Sequence, residues 1–97
     1  MTIEDGAICC PSCGERCLHH WRVETYIRDG EDSQTGLSVT VGNNVASGVK
    51  VGVSQKKNPS RRRDGIVIQF WCENCEKKKH RLAIYQHKGN TFVEWME

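Results

Sequence analysis

The sequence predicts a mainly β domain, with a small antiparallel sheet of about five or six strands whose two ends are joined at a cysteine-rich site. Two observations lead to this prediction. Apolar residues alternate with polar ones in several short runs, which is typical of half-buried strands. Two Cys-x-x-Cys pairs, one near each end of the chain, could close such a sheet. At 97 residues we expect one domain spanning 1–97. The hydrophobic core of a domain this small is only marginally stabilising, so a cross-link such as a disulfide or a bound metal ion would help to stabilise the fold.

The strands are predicted in order along the chain. The run HHWRVETYIR, residues 19–28, alternates with period two and is the first strand. Residues 37–54 form a hairpin, because alternating valines flank the turn segment GNNVASG at 42–48. GIVIQFW at 65–71 is more continuously apolar and suits a central strand that runs straight into Cys72.

The C-terminal part repeats this pattern. RLAIYQ and TFVEWM flank the turn residues HKGN at 87–90, which predicts a second hairpin over about 81–96. We find no segment with a helical pattern, and we expect residues 73–81 to wrap around the second cysteine pair. The strands at about 18–71 then form a β insertion between the two halves of the cysteine site, at 10–14 and 72–75.

Six cysteines could stabilise a small domain through disulfides or through a metal ion. The segment MTIEDGAICC has acidic residues where a signal peptide carries basic ones, and no apolar run follows it. We therefore expect a cytoplasmic protein with reduced thiols, and no apolar stretch long enough to span a membrane. Under these conditions two Cys-x-x-Cys pairs predict a tetrahedral zinc site formed by Cys10, Cys13, Cys72 and Cys75.

The long separation between the two pairs does not exclude such a site. Residues 14–71 lie between them, whereas the usual spacing is about 15–20 residues. Loop closure depends only logarithmically on length, so tripling the loop costs about 1 kcal/mol. A structural zinc ion contributes on the order of 10 kcal/mol, so the metal offsets that cost many times over.

The pair CPSCG and CENC resembles a zinc ribbon, a group whose members hold zinc between two knuckles carried on β-hairpins. The resemblance rests on Cys10, Pro11, Cys13, Gly14 and the second pair, and it implies structural Zn²⁺. The long β insertion departs from a minimal ribbon and identifies no subfamily. Zinc ribbons occur in transcription, translation and replication proteins and as partner-binding pieces, so the fold does not select among functions.

A narrower comparison is with the transcript-cleavage elongation factors, whose ribbons carry a basic residue and an acidic pair at a loop tip. In the corresponding segment RRRDG only Asp64 is acidic, and Gly65 stands where the second carboxylate would be. A single carboxylate is a poor magnesium site. We therefore do not expect this activity. No other catalytic constellation stands out, and a closed four-sulfur site leaves no position for substrate, so we predict that the protein is not an enzyme.

Two cysteines and four histidines remain outside this site. We expect Cys9 and Cys17 to be ordinary small thiols, with a redox-sensitive thiol beside the metal as the alternative. Cys17 could also replace a ligand in a C-x3-C pairing with Cys13, although that would break up the knuckle. We expect the histidines to serve as surface or sheet residues; they are His19, His20, His80 and His87.

The basic residues are concentrated in two clusters on either side of the strand at 65–71. The first cluster is Lys56, Lys57, Arg61, Arg62 and Arg63, and the second is Lys77, Lys78, Lys79 and Arg81. Such clusters can bind phosphate backbones, with Trp21, Trp71 or Tyr85 stacking on bases. They can also dock an acidic protein partner or simply remain solvated.

We therefore predict a zinc-stabilised domain that binds nucleic acid through its basic clusters. The alternative is a protein–protein interaction or scaffolding module with purely structural zinc. The acidic stretch at residues 30–33 could pair with the arginine run and so remove part of the basic surface.

Overall fold

The computed structural model describes residues 1–76 and 79–96. Antiparallel strands dominate, as the alternation in the sequence predicts, and the mainly β prediction is confirmed. The strands are β1 (Ile3–Glu4), β2 (Ala7–Ile8), β3 (Leu18–Arg28), β4 (Thr35–Gly42), β5 (Val49–Ser54), β6 (Gly65–Cys72), β7 (Lys79–His87) and β8 (Asn90–Met96). A single turn of 3₁₀ helix, Ala46–Gly48, precedes β5. None of the helical structure in the described ranges is long and apolar enough to cross a membrane.

Strands β3 to β8 form one six-stranded antiparallel sheet in the order β5-β4-β3-β6-β7-β8. The most apolar run, β6, lies between β3 and β7, as expected for a central strand. Strands β4 and β5 pair on either side of the turn at 42–48, with Val39 opposite Val51 and Val41 opposite Val49. Strands β7 and β8 are joined by Lys88 and Gly89, both at positive φ, which suits a two-residue hairpin turn. Strand β7 begins at Lys79, two residues before the predicted hairpin.

The N-terminal residues form a small ribbon that the sequence did not predict. Strands β1 and β2 pair around Asp5 and Gly6, whose φ angles are 48° and 84°. Asp-Gly at positive φ is a favoured two-residue hairpin turn. Arg16 hydrogen-bonds Asp5 and so ties this ribbon to the chain beyond the first knuckle.

The register gives the sheet one aliphatic side. One row of side chains crosses the strands as Val49, Val41, Val23, Ile68, Leu82 and Trp95. The next row is Val51, Val39, Thr25, Ile66, Ile84 and Val93. Neighbouring positions along each strand point to the opposite, polar side, which carries Lys50, Thr40, Glu24, Val67 and Ala83.

The buried core is small and lies near the middle of the sheet and at its metal-site end. Leu82 and Ala83 on β7 and Val67 on β6 are almost fully buried. The core also includes a polar network on the polar side, in which the Glu24 carboxylate accepts hydrogen bonds from Tyr26 at 2.8 Å and Gln69 at 2.8 Å. A buried polar group with all its partners in place fixes the local register of the sheet.

The connection between β5 and β6 is an ordered loop held from both sides. The Arg28 guanidinium donates hydrogen bonds to the carbonyl oxygens of Ser33, Ser60 and Arg63. The Ser60 hydroxyl donates to the Gln86 carbonyl at 2.7 Å. These bonds fix the loop that carries the arginine run, so its guanidinium groups project from a defined backbone.

Candidate metal centre and polar face

The first knuckle is a tight turn between β2 and β3. The Gly14 N–H donates to the Cys10 carbonyl at 2.9 Å, and the Cys10 N–H donates to the Glu15 carbonyl at 2.9 Å. The Ser12 N–H points at the Cys10 sulfur, 3.4 Å away. Gly14 has φ = 78°, which explains why glycine follows the second cysteine.

The second knuckle follows directly from the central strand. Cys72 is the last residue of β6, and Cys75 lies in the turn that leads towards β7. Glu76 occupies the position equivalent to Gly14 and has φ = 51°. The residue after the second cysteine therefore has a positive φ in both knuckles, although only the first knuckle has glycine there.

The fold brings the four predicted cysteines together. Their sulfur atoms all lie within 4.8 Å of one another; they belong to Cys10, Cys13, Cys72 and Cys75. Cys10 Sγ lies 3.8 Å from Cys75 Sγ, and Cys13 Sγ lies 3.6 Å from Cys72 Sγ. A Zn–S bond of about 2.3 Å separates the sulfurs of a regular tetrahedron by about 3.8 Å. The cluster therefore has the donor set and the size for a metal ion.

Two further side chains border the cluster: Cys17, which the sequence offered as an alternative ligand, and His80, which we expected to be a surface or sheet residue. Cys17 Sγ lies 3.8 Å from Cys72 Sγ, because Leu18 pairs with Cys72 across β3 and β6. His80 Nε2 lies 3.5 Å from Cys10 Sγ. A ring N–H at this position can donate to a thiolate and stabilise its charge. Cys9 is buried, with its sulfur 3.9 Å from the Ala7 carbonyl.

The thiols in the cluster affect one another's pKa values. Burial raises the pKa of Cys72, but a hydrogen bond from the Asn74 backbone and those from the neighbouring thiols outweigh it and lower the pKa to about 7. The hydrogen bond with Cys13, followed by burial, raises the pKa of Cys75 to about 12. One thiol therefore ionises early while another retains its proton. A metal ion must displace the remaining protons, so its affinity falls as the pH falls.

An aromatic cleft opens on the polar side of the sheet near this end. Its walls are Trp21, Trp71, Lys79 and the β4–β5 turn residues Asn43 and Asn44, which enclose about 410 Å³. The Lys79 ammonium lies 4.6 Å from the centre of the Trp21 ring, a cation–π distance. Trp21 sits at an irregularity in the β3–β6 register, and a bulge of this kind can redirect a side chain.

A lysine groove adjoins the aromatic cleft along β3, β4 and β5. Arg22, next to Trp21 in the chain, lines it at one end, and Lys50, Lys56 and Lys57 line its outer side. Among the described residues, no carboxylate lies within ion-pair distance of these three lysine amines. Lys50 was not among the sequence candidates, because it stands alone in a valine strand and only the register reveals its side of the sheet.

The arginine run lies in acidic surroundings. Arg62 pairs with Asp32 at 2.7 Å and with Glu31 at 2.8 Å, and Arg63 pairs with Glu31 at 3.0 Å. The hydrogen bond from Arg62 lowers the pKa of Asp32. The acidic stretch thus pairs with the run, as the sequence allowed. Arg61 has no ion-pair partner within 1–76 and 79–96.

The two basic clusters lie at opposite ends of β6. Arg63 precedes Gly65 at one end, whereas Lys79 pairs with Trp71 at the other. Eight residues of strand separate the ends by roughly 25 Å. Arg81, two residues along β7 from Lys79, projects from the same side of the sheet. Lys77 and Lys78, the other members of the second cluster, lie outside the described residues.

Comparison with known proteins assigns the chain to no family. Protein families, curated proteins and solved structures were all compared with the chain, and none matches it. The likeness to a zinc ribbon therefore rests on the four cysteines, whose sulfur atoms the fold places close enough to bind one metal ion.

Proposed function

We propose that the protein is a zinc-stabilised β domain that binds single-stranded nucleic acid on the polar side of its sheet. The zinc is structural, because four thiolates complete a tetrahedral shell and leave no position for a substrate. The domain has no catalytic role in this proposal. The observation that carries the nucleic-acid proposal is the aromatic cleft that continues into the lysine groove.

The cleft supplies surfaces on which bases can stack. Trp21 and Trp71 are half-buried and line it together. The His19 ring stacks on Trp71 with centroids 4.5 Å apart and fixes the orientation of that indole. Stacking of one base on an aromatic side chain contributes about 1–3 kcal/mol and tolerates any base. This supports binding without strong sequence preference.

The lysine groove supplies charge for the phosphates. Lys50, Lys56 and Lys57 lie along one path, whereas the Arg62 and Arg63 guanidinium groups are already paired with carboxylates. We therefore assign the main phosphate contacts to the lysines, with Lys79 at the aromatic end. The groove runs beside β5 from Lys50 to Ser54, about 13 Å, and together with the aromatic cleft it suits the shorter sites of about four nucleotides known for single strands.

The proposal is tested by titrating short single-stranded oligonucleotides and following the quenching of tryptophan fluorescence at several salt concentrations. The double variant Lys56→Gln/Lys57→Gln should bind more weakly, and the slope of log K against log salt should decrease in magnitude by roughly 1.4. Trp71→Leu should weaken binding by about 1–3 kcal/mol at every salt concentration. Lys88→Gln, in the β7–β8 turn, is the matched control and should bind like the wild type. Absence of binding at low salt, or an equal loss in Lys88→Gln, would contradict the proposal.

A second candidate is a protein-interaction module with the same structural zinc. The lysine groove would then bind an acidic protein segment, and the exposed aliphatic side chains on the other side of the sheet favour protein contacts in general. Capture of partners from nuclease-treated extract separates the two functions. Partners that survive digestion support the protein module, and partners lost on digestion support nucleic acid.

A further inference from the structure

The aliphatic side of the sheet is its most exposed apolar feature. Six large aliphatic side chains there are 45–64% exposed: Ile27, Leu37, Val41, Val49, Val51 and Val93. We call this set the aliphatic face. Four of them lie on β4 and β5, where directly opposed pairs such as Val39–Val51 and Val41–Val49 keep the face continuous from strand to strand.

This face lacks a covering layer over most of its extent. Near the metal site the first knuckle reaches His80 on this side, and Phe70 and Leu82 are buried there. Away from the knuckle the face is open, and Val51 is 64% exposed. A sheet normally buries its apolar face against a second layer. Exposed apolar patches of this extent on a small domain mark interaction sites.

The chemistry of the face defines its occupant. The two rows that cross the sheet contain aliphatic side chains, one tryptophan and Thr25, and no ionisable group. Such a surface offers nothing to phosphates or to a charged peptide. It is complementary to another flat aliphatic surface, and pleated sheets pack face to face about 10 Å apart with interdigitated side chains.

We propose that the aliphatic face is the interface of a homodimer in which two copies pack their sheets against each other as a β-sandwich. A two-fold interface needs a patch that is complementary to itself. The aliphatic face meets this requirement, because its two rows carry no ionisable group that would face a like charge in the second copy. The strand spacing and the length of the exposed rows give about 600 Å² per copy, so the dimer would bury about 1,200 Å² in total. This total reaches the lower end of the range for stable, specific interfaces.

The dimer leaves the polar side of each sheet facing outwards. The aromatic cleft and the lysine groove would then be open in both copies, because side chains at neighbouring strand positions point to opposite sides. The inference does not depend on nucleic-acid binding. Its test contains no nucleic acid, so the two proposals can fail separately.

The test is the mass of the zinc-loaded full chain in sedimentation equilibrium and in light scattering after gel filtration. We expect the wild type to have twice the mass of one chain and Val51→Lys to have the mass of a single chain, with the dimer weakened at least about tenfold. Ser38→Lys is the matched control, since it places the same charge on the opposite side of the neighbouring strand. It should remain dimeric.

Several outcomes would overturn the dimer. A wild type that remains monomeric up to about 100 µM would show that the face does not pair with its own copy. A folded Val51→Lys that is still dimeric would place the interface elsewhere, for example at the β5 edge. If circular dichroism shows that Val51→Lys is unfolded, the isosteric change Val51→Thr, which replaces one methyl group by a hydroxyl, is measured in the same way. It should raise the dissociation constant of the dimer, and an unchanged dissociation constant would overturn the proposal.

Discussion

Glu24 is a nearly buried carboxylate in the middle of the sheet, and three neighbours hydrogen-bond it. Tyr26 and Gln69 each donate at 2.8 Å, and Arg22 donates at 3.1 Å. Burial raises the pKa of Glu24, but these hydrogen bonds and the Arg22 charge outweigh it and leave the pKa below its ordinary value. Burial, and next its hydrogen bond to Glu24, raise the pKa of the Tyr26 hydroxyl. The folded protein therefore favours ionised Glu24 beside neutral Tyr26.

Replacing this carboxylate should reduce stability in a pH-dependent way. Because the folded pKa of Glu24 is lowered, its stabilising effect is present above the unfolded value of about 4.3 and is lost as the pH falls through the folded value. Glu24→Gln should lower the free energy of unfolding by about 1–3 kcal/mol at neutral pH. The difference from the wild type should shrink between about pH 5 and pH 3.

Urea unfolding, followed by tryptophan fluorescence at several pH values, measures this effect. Glu94→Gln is the matched control, since Glu94 accepts one hydrogen bond from Tyr85 on the exposed strand β8. It should change stability less. A deficit in Glu24→Gln that stays constant down to pH 3 would show that the ionised carboxylate is not what stabilises the network.

Individual residues of the metal centre differ in how far the sequence revealed them. The Cys-x-x-Cys spacing is a local pattern, so it identified all four cysteines of the cluster. The C-x3-C spacing offered Cys17 as an alternative ligand, whereas His80 approaches the cluster only because β7 pairs with β6. Such pairing joins residues far apart in the chain, and no local pattern encodes it. Lys56 and Lys57 of the lysine groove were predicted from their local cluster, whereas Arg22 and Lys50 join them only through the pairing of β3, β4 and β5.

At the level of elements, the two knuckles make the same turn with different residues. Gly14 and Glu76 both have positive φ, and each follows the second cysteine of its pair. This backbone region costs a residue with a side chain about 1–2 kcal/mol relative to its preferred conformations. No atom lies within 4 Å of a methyl group built on Gly14, so backbone strain alone opposes substitution there.

Exchanging these residue types should shift stability in opposite directions. Gly14→Ala should lower the free energy of unfolding of the zinc-loaded protein by about 1 kcal/mol. Glu76→Gly should raise it by up to about 1 kcal/mol, because glycine adopts this conformation without steric cost. Thermal unfolding with zinc in excess measures both changes.

Gly30→Ala is the control for the loss of glycine flexibility. Gly30 has no positive φ and open space around its Cα, so this variant should be neutral or slightly more stable. A clear loss of stability in Glu76→Gly would show that the Glu76 side chain, rather than its backbone conformation, matters to the second knuckle.

Hairpins and long-range pairings also differ in how well the sequence predicts them. The β4–β5 and β7–β8 hairpins follow from alternation around a local turn, and their strands lie where the pattern predicts them. The pairing of β3 with β6 spans the whole β4–β5 hairpin and the arginine loop. It depends on burying the most apolar strand in the centre of the sheet. The alternation is compatible with several strand orders and selects none of them.

At the scale of the whole molecule, the sheet is wide and its buried core is small. The cysteines Cys9, Cys10 and Cys72 are among the most buried apolar residues, beside Leu82 and Ala83. The four-cysteine cluster is therefore part of the core itself, and a metal ion bound there would join the N-terminal knuckle to the end of the central strand. The proposed sandwich would cover the other end of the aliphatic side. A metal ion and a second copy together would replace the second layer that a larger domain builds from its own chain.

This view predicts that removing one ligand affects the whole fold. Cys75→Ser should bind less than one zinc ion per chain and should be unfolded, or melt at least about 20 °C lower, because structural zinc contributes on the order of 10 kcal/mol. Elemental analysis and thermal unfolding by circular dichroism measure the two effects. Cys17→Ser is the matched control, since its sulfur borders the cluster at 3.8 Å from Cys72. It should keep one zinc ion and melt near the wild type. If Cys17→Ser lost as much metal as Cys75→Ser, Cys17 would have to be a ligand, and the first knuckle would bind the metal through a different pair of sulfurs.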